Sequence, residues 1–275
     1  MLKFLAMFKL ALAQTQSSSD IDGNLAAMKS FCEKAHEQKA QGVFFAEMAY
    51  LMGSSLENRR AADRYPELCE IFSNWAKEYQ LYLSPGSLRS VSQGGKSFNH
   101  LVVFGPDGRT VAEYKKIFLF KANLPDRVYD ESQMYDPGKD LVVFEMNGMK
   151  VGLSICFDLR FPEMFRALRK RGAEVILIPS AFTVPTGQAH WEVLLRARAI
   201  ENQCFVVAPS LTGTSGDGSK KYGHSLVVDP WGEVLLDLGA EVSLKTVEID
   251  VKRLAEARAK VDAWASLRTD LFPIA

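Results

Sequence analysis

The sequence predicts an α/β fold in which two β-sheets pack face to face with helices outside, built from two similar halves. Strand and helix patterns alternate along the 275 residues, as in units whose parallel strands are joined by helices. Two hairpins resemble each other, because residues 102–108 and 227–232 both begin with Val-Val and end with Pro-x-Gly. No Ser/Gly-rich linker or charged block divides the chain, so we expect one domain over residues 1–275.

Local patterns justify each element of the first half. A period-two alternation of apolar and polar side chains marks the first strand, and one-sided apolar stripes mark the helices. A short apolar run ending on Glu47 predicts the second strand, and Gly-Pro-Asp-Gly at residues 105–108 predicts a hairpin turn. The predicted order is strand 9–16, helix 24–41, strand 42–47, helix 66–79, strand 81–88 and hairpin strands 98–104 and 110–114.

The second half repeats this alternation. Two continuously apolar runs predict strands that are buried on both faces. Between them, Pro162 stands where a helix begins and Gly172 just beyond its end, which is the usual asymmetry of helix termini. A further helix is predicted to begin at His190. The predicted order is strand 149–156, helix 162–171, strand 174–179, helix 190–203, strand 204–209 and hairpin 225–238.

Composition and charge disfavour several functional classes. The chain has 33 Lys and Arg against 33 Asp and Glu, a formal net charge of zero, which argues against nucleic-acid or membrane-surface binding. Residues 1–13 loosely resemble a secretion signal, but Lys9 interrupts the apolar run, and no segment reaches the roughly 18 apolar residues of a membrane span. We therefore expect a cytoplasmic protein that begins at Met1 or Met7.

The cysteines and histidines predict neither a metal site nor a disulfide framework. The four cysteines form no C-x-x-C motif, and the four histidines have no zinc-ligand spacing relative to them. A hydrophobic core of this size does not need disulfides for its stability. We expect free thiols and no bound metal.

Three reactive side chains lie where predicted strands end. Glu47 ends the run Gly-Val-Phe-Phe-Ala-Glu, Lys116 follows Thr-Val-Ala-Glu-Tyr-Lys, and Cys156 ends Lys-Val-Gly-Leu-Ser-Ile-Cys. Functional groups of α/β sheets collect beyond the carboxyl ends of strands. A thiol nucleophile, a carboxylate that takes its proton and an ammonium that stabilises an oxyanion suffice for acyl transfer without histidine.

Each of these residues also has a purely structural alternative. A free cysteine after an apolar strand is commonly an inert buried thiol, and a glutamate at a strand end is commonly solvated. Lys116 beside Lys115 fits an ordinary pair of surface lysines. Sequence spacing alone does not bring the three side chains together, so the interpretation depends on taking them jointly.

Taken jointly, the segments that carry these residues resemble a known family. Phe-Phe-Ala-Glu47, Tyr-Lys-Lys116-Ile-Phe-Leu-Phe and Gly-Leu-Ser-Ile-Cys156-Phe-Asp-Leu-Arg-Phe-Pro-Glu are similar to the three signature segments of the carbon–nitrogen hydrolase (nitrilase) superfamily. The resemblance covers nearly the whole chain. Segments 179–182, 186–192, 196–203 and 222–232 look most like the amidase branch that contains deaminated-glutathione amidases and omega-amidases.

The resemblance implies a four-layer α-β-β-α sandwich that forms a single carbon–nitrogen hydrolase domain. It implies Glu47 as general base, Lys116 as oxyanion stabiliser and Cys156 as nucleophile, with Glu131 positioning the lysine and the substrate. It implies no metal and no organic cofactor. Further residues expected at the oxyanion or the substrate are Phe157, through its backbone N–H, Arg160, Ala181, Phe182 and His190. Arg160 is a candidate to bind a distal carboxylate, with a structural turn or dimer contact as its alternative role.

The implied reaction is hydrolysis of a small dicarboxylic monoamide, similar to deaminated glutathione, through a thioester on Cys156. The alternatives are an omega-amidase, an N-carbamoyl amidohydrolase or a nitrilase of the same superfamily, and, outside enzymes, a catalytically silent dimeric scaffold. Phe118 and Lys121 stand where the branch has His and Asp, and we expect them to change the wall near Lys116. Family resemblance also implies a homodimer or higher homo-oligomer that associates through residues 162–171 and 190–203.

Overall fold

Two large β-sheets face each other across an apolar core in the computed structural model, which describes residues 7–124 and 128–274. The first eight strands are β1 (Met7–Gln14), β2 (Gly42–Phe45), β3 (Tyr82–Ser84), β4 (Ser87–Val91), β5 (Ser97–Phe104), β6 (Thr110–Lys115), β7 (Lys121–Asn123) and β8 (Val128–Asp130). The remaining strands are β9 (Val143–Met146), β10 (Met149–Leu153), β11 (Val175–Leu177), β12 (Phe205–Ala208), β13 (Thr212–Thr214), β14 (Lys220–Tyr222), β15 (Leu226–Val228), β16 (Val234–Asp237) and β17 (Ser243–Asp250).

Helices cover the outer faces of the two sheets. The α-helices are α1 (Ile21–Glu37), α2 (Ser55–Arg60), α3 (Tyr65–Tyr79), α4 (Pro162–Lys170), α5 (Val184–Asn202) and α6 (Lys252–Lys260). Short 3-10 helices are formed by Ala61–Arg64, Glu131–Gln133 and Cys156–Arg160. Within the described part of the chain, no helix combines the length and the apolar character that a membrane crossing requires.

The two sheets have the same internal plan, which confirms the predicted duplication. The first sheet has the spatial order β17–β1–β2–β3–β5–β4, with β6 also paired to β5, and the second has the order β16–β15–β12–β11–β10–β9. Each contains three parallel strands, β1–β2–β3 or β10–β11–β12, next to an antiparallel hairpin, β5–β6 or β15–β16. Both hairpins shift register just before the turn, after Val103 and after Val227.

Alternation along the strands assigns side chains to different layers. In β1, Leu10 and Leu12 point into the core between the sheets, whereas Ala11 and Ala13 pack toward α1 and α3. The core between the sheets continues through the second sheet to α4 and α5. The result is the α-β-β-α sandwich. Alternate residues of a strand point to opposite faces of its sheet, so one set packs against the other sheet and the next set packs against the helices.

Several predicted boundaries are wrong. The predicted strand 81–88 is divided into β3 and β4, because Gly86 has a φ of +81° and an added Cβ would lie 1.7 Å from the Ala46 carbonyl oxygen. The strand that precedes Cys156 ends at Leu153. Helix α5 begins at Val184 rather than at His190. Residues 1–6 of the signal-like segment lie outside the described residues.

Candidate active site

The ends of three strands meet at one cavity of about 490 Å³, a volume in the usual range for small-molecule sites. Glu47 follows β2, Lys116 follows β6 directly, and Cys156 lies three residues beyond β10. All three side chains line the cavity, as does Glu131. The structure therefore brings together the residues that the sequence analysis selected at strand ends, although they are up to 109 positions apart in the chain.

Lys116 is buried between two carboxylates. Its side chain is 1% exposed, and its Nζ lies 2.9 Å from Glu47 Oε1 and 2.9 Å from Glu131 Oε2. Burial alone lowers the pKa of this ammonium, but the negative charges of Glu131 and Glu47 outweigh burial and raise the pKa well above 10.5. Lys116 is therefore a fixed cation at neutral pH.

Glu47 accepts two hydrogen bonds at its Oε1 oxygen. Lys116 Nζ donates to Glu47 Oε1 at 2.9 Å and Asn99 Nδ2 donates to it at 2.8 Å, and the Cys156 thiol lines the same cavity. Burial raises the pKa of Glu47, but the Lys116 charge and these hydrogen bonds lower it below its ordinary value of 4.5. The carboxylate is ionised at neutral pH and is able to accept a proton.

Cys156 has a backbone conformation that is unusual for a residue with a side chain. Its φ is +47°, at the start of the 3-10 helix, and its N–H donates to the Pro179 carbonyl at 3.0 Å. Burial and the Glu47 charge raise the pKa of the thiol well above 9.0, against the opposing effects of Lys116 and the Ala181 N–H. The resting group is a thiol that needs a base.

Asp158 links the loop that follows Lys116 to the turn that carries Cys156 through hydrogen bonds to both segments. Its carboxylate accepts from the N–H groups of Ile155 at 2.8 Å and Phe118 at 2.9 Å and from the Tyr114 hydroxyl at 2.7 Å. Burial raises the pKa of Asp158 to about 6 although these hydrogen bonds lower it. The sequence analysis did not select Asp158; its place two positions after the cysteine in a signature segment was the available signal.

Two further predicted residues have contacts that fit their expected positions. Glu131 accepts from Lys116 and, at 2.7 Å, from the Phe120 N–H, so its carboxylate is held in place from both sides. The Phe157 N–H, in the first turn of the 3-10 helix, has no hydrogen-bond acceptor within residues 7–124 and 128–274. An N–H of that kind is able to donate to an oxyanion formed next to Cys156.

The other predicted binding residues differ in their access to the cavity. Arg160, Ala181 and Phe182 line it, but His190 is exposed on α5 and does not. Instead, His190 Nδ1 lies 3.3 Å from both terminal nitrogens of Arg160. The Arg160 guanidinium also lies 5.5 Å from the Phe182 ring centre and 5.8 Å from that of Phe157. His190 thus contacts the outer side of Arg160 rather than the space a substrate would occupy.

The two positions that depart from the branch pattern do not form the cavity wall. Phe118 stacks on Phe161, with ring centres 3.7 Å apart, and Lys121 is an exposed residue of β7. Neither lines the cavity. The expectation that they change the wall next to Lys116 is therefore wrong; they affect a layer outside it.

Among the polar residues of the cavity that the sequence analysis missed, Asn99 and Arg89 are buried in the sheet beside Glu47. Asn99 donates to Glu47, and Arg89 stands opposite Asn99 in the pairing of β4 with β5. Asn99 and His100 are the two polar side chains of the otherwise apolar strand 98–104, and that position was a signal for Asn99. Arg89 stands in the segment Ser-Leu-Arg-Ser-Val, which contained no signal that this residue belongs to the site. In the part of the chain that the structure describes, no three His, Cys, Asp or Glu side chains are grouped as metal ligands.

Comparison with known proteins gives concordant matches. A sequence model of the carbon–nitrogen hydrolase family matches residues 9–259. The human protein named omega-amidase NIT2 is 37% identical over 269 residues, which are 97% of this chain and 97% of that protein.

Solved structures give the same match in three dimensions. The NitFhit protein of Caenorhabditis elegans superimposes with a TM-score of 0.92 at 36% identity, over 98% of this chain and 66% of that one. The E41Q mutant of an amidase from Nesterenkonia sp. AN1 superimposes with a TM-score of 0.83 at 26% identity, over 96% of this chain and 95% of that one. That mutant carries the acetamide moiety of fluoroacetamide covalently on its active-site cysteine.

Proposed function

The chain belongs to the carbon–nitrogen hydrolase family, and on that premise we propose that it hydrolyses a small dicarboxylic monoamide through a thioester on Cys156. As a family member it is a hydrolase of carbon–nitrogen bonds other than peptide bonds, and its relatives identify it as an amidase. The observation that carries the proposal is the grouping of Glu47, Lys116 and Cys156 around one cavity, with the buried Lys116 ammonium 2.9 Å from the Glu47 carboxylate.

Acylation begins with a proton transfer. Cys156 Sγ attacks the amide carbon and forms the C–S bond while Glu47 takes the thiol proton, and the carbonyl electron pair moves onto oxygen. The Lys116 ammonium and the Phe157 N–H stabilise that oxyanion. When the oxyanion collapses, the C–N bond breaks, the proton on Glu47 passes to the leaving nitrogen, and ammonia or an amine departs.

Deacylation uses the same groups a second time. Water attacks the thioester carbon, Glu47 accepts a proton from the water, and the second oxyanion forms at the same place. Collapse breaks the C–S bond, and the proton on Glu47 returns to sulfur to regenerate the thiol. Glu131 supports both half-reactions because it holds the Lys116 ammonium from the side opposite Glu47.

A hydrolysis panel tests the proposal. Wild type and Cys156→Ala are compared on deaminated glutathione, 2-oxoglutaramate, succinamate, an N-carbamoyl amino acid and a nitrile. The readout is the leaving group, which is cysteinylglycine from deaminated glutathione and ammonia from the other four compounds. We expect the highest turnover with deaminated glutathione and none in the variant. A preference for 2-oxoglutaramate indicates an omega-amidase, CO₂ release indicates a carbamoyl substrate, and no turnover on any compound contradicts the enzyme proposal in favour of the scaffold.

We propose in addition a cytoplasmic homodimer or higher homo-oligomer. Val193 and Ile200 stand seven residues apart on one face of α5 and are 68% and 50% exposed. Apolar side chains at that spacing form a stripe that suits helix–helix association. Light scattering at micromolar concentration is expected to give at least twice the 30.6 kDa chain mass; a monomer mass contradicts this.

A further inference from the structure

A second buried cation lines the same cavity without the partners that Lys116 has. Arg89, in β4, is 4% exposed. Among residues 7–124 and 128–274, no side chain or carbonyl accepts a hydrogen bond from its guanidinium, and no carboxylate lies within 4.0 Å of it. Its Nε is fully buried with no partner there. A buried charge in this state is costly unless a group from outside the chain compensates it.

Arg89 lies on the same face of the sheet as a residue that contacts Glu47. Arg89 and Asn99 are register partners in β4 and β5, so their side chains project from the same face of the sheet. Asn99 Nδ2 donates to Glu47 Oε1, and Asn99 Oδ1 is itself buried without a partner in the described chain. Arg89 therefore lines the same cavity as Glu47 and stands next to the residue that donates to the carboxylate proposed to act as the base.

The surroundings hold this guanidinium in place. The Tyr135 ring, which is also buried and lines the cavity, has its centre 5.3 Å from the Arg89 guanidinium carbon. The Tyr50 hydroxyl accepts a hydrogen bond from the Arg89 backbone N–H at 3.2 Å. Aromatic stacking of this kind fixes the plane of a guanidinium while leaving its N–H donors available.

The other cations around the cavity are already engaged. Lys116 contacts two carboxylates, and Lys221 has an interaction partner. Arg160, which the sequence analysis selected for a distal carboxylate, contacts His190 and two aromatic rings. Of these four cations, Arg89 is the one that is buried and has no hydrogen-bond acceptor for its guanidinium in the described structure.

We propose that Arg89 binds the free carboxylate of the substrate while the amide of the same molecule lies at Cys156. A planar guanidinium matches a carboxylate with two parallel N–H···O bonds. The site thus selects the singly charged monoamide of a short dicarboxylic acid over the uncharged diamide of the same length. This inference rests on the proposed amidase function and names the residue that sets its substrate class.

The first arm of the test changes the substrate and leaves the protein intact. Succinamate is compared with succinamide, and glutaramate with glutaramide, because each pair differs in charge at nearly constant shape. We expect wild type to favour the charged member of at least one pair by on the order of 10- to 100-fold in kcat/KM, mainly through KM. Equal kcat/KM values within both pairs overturn the proposal.

The second arm changes the arginines. Arg89→Met is expected to abolish most of the preference for the charged substrate, Arg89→Lys to retain part of it, and the matched cavity variant Arg160→Met to keep it. Melting temperatures of all variants check folding, and Arg89→Lys keeps the test valid if Arg89→Met does not fold. A preference kept in Arg89→Met and lost in Arg160→Met overturns the proposal and assigns the carboxylate to Arg160.

A binding measurement separates this inference from the amidase proposal. Succinate and glutarate are titrated calorimetrically into Cys156→Ala, with and without Arg89→Met. We expect at least one dicarboxylate to bind about 10-fold more weakly when Arg89 is replaced. If no amide is hydrolysed but this difference is found, the amidase proposal fails and the carboxylate site stands. If each dicarboxylate binds with the same affinity whether or not Arg89 is replaced, the site is overturned.

Discussion

The two buried cations of the cavity, Lys116 and Arg89, have opposite surroundings. Lys116 lies 2.9 Å from each of two carboxylates. Arg89 has an aromatic ring beside it, and no carboxylate of the described residues lies within 4.0 Å of its guanidinium. A cation paired within the protein belongs to a preorganised reaction centre, because its charge is balanced before substrate arrives. A buried cation without a protein partner is balanced only when an anion binds, so the contrast separates chemistry from recognition.

Replacing the two cations by methionine tests that contrast most strongly. Lys116→Met leaves the buried Glu47 carboxylate and the half-buried Glu131 carboxylate without a cation, at a cost of about 3–5 kcal/mol, which corresponds to a Tm roughly 10 °C lower. Its turnover is expected to fall at least about 1000-fold because the oxyanion loses its cation. Arg89→Met removes an unpaired charge, and we expect an unchanged or higher Tm.

Differential scanning calorimetry of the two variants, with ammonia release for activity, checks these expectations. The exposed turn residue Arg109, which pairs with Asp107, supplies the control Arg109→Met. A Tm loss in Arg89→Met as large as that in Lys116→Met contradicts the assignment of different roles.

Glu47→Gln isolates proton transfer from charge balance. The amide keeps an oxygen that can accept from Lys116 and Asn99 but cannot take the thiol proton, so kcat is expected to fall by about 100- to 10,000-fold with little change in KM. Steady-state kinetics on succinamate measure both constants. A kcat within about threefold of wild type refutes the role of Glu47 as base.

Asp158→Asn tests the link between the Lys116 loop and the Cys156 turn. The new amide NH₂ faces a donor in either orientation, because it meets the Phe118 N–H on one side or the Ile155 N–H and the Tyr114 hydroxyl on the other. We expect a cost of about 1–3 kcal/mol and a Tm loss of roughly 2–10 °C. Thermal unfolding and kcat are measured together, with Tyr114→Phe as the milder variant. An unchanged Tm and kcat in Asp158→Asn speak against this link.

The smallest expected effect is on the pH profile. The active form has Glu47 ionised and Lys116 protonated. The pKa of Glu47 is lowered and the pKa of Lys116 is raised, so the pH range over which this form exists widens on both sides of neutrality. We expect kcat/KM for a substrate without titratable groups, such as succinamide, to lose activity to Glu47 protonation only below pH 4.5. A midpoint near neutrality that Glu47→Gln abolishes runs against this account; circular dichroism controls for acid unfolding.

The parts of the fold that follow local patterns were predictable from the sequence. Strand ends at Glu47 and Lys116 and both hairpins come from apolar periodicity and turn residues, which act over a few positions. The division of strand 81–88 was not predictable, since it depends on the close approach of Gly86 to the Ala46 carbonyl. Strand β17 was not predicted, although residues 247–250 alternate apolar and polar side chains and the strand pairs with β1, more than 200 residues away in the chain.

The residues of the site also divide into those that were predictable from local sequence and those that depend on long-range packing. The signature segments contain Glu47, Lys116 and Cys156, whose chemistry is recognisable from residue type and neighbours. Arg89 lies outside them, and the burial that gives it significance arises from strand pairing and from packing against Tyr135. A charged residue in a polar strand is usually exposed, so sequence alone gave no reason to select it.

The most direct test of the central claim is detection of the acyl group on Cys156 during turnover. Wild type is mixed with succinamate, quenched in acid within milliseconds, digested and analysed by mass spectrometry, with Cys156→Ala as the control. The account predicts a hydroxylamine-sensitive succinyl group on the Cys156 peptide, none on the Cys32, Cys69 or Cys204 peptides, and no turnover in the variant. Hydrolysis of succinamate by Cys156→Ala at a rate near that of wild type would contradict it.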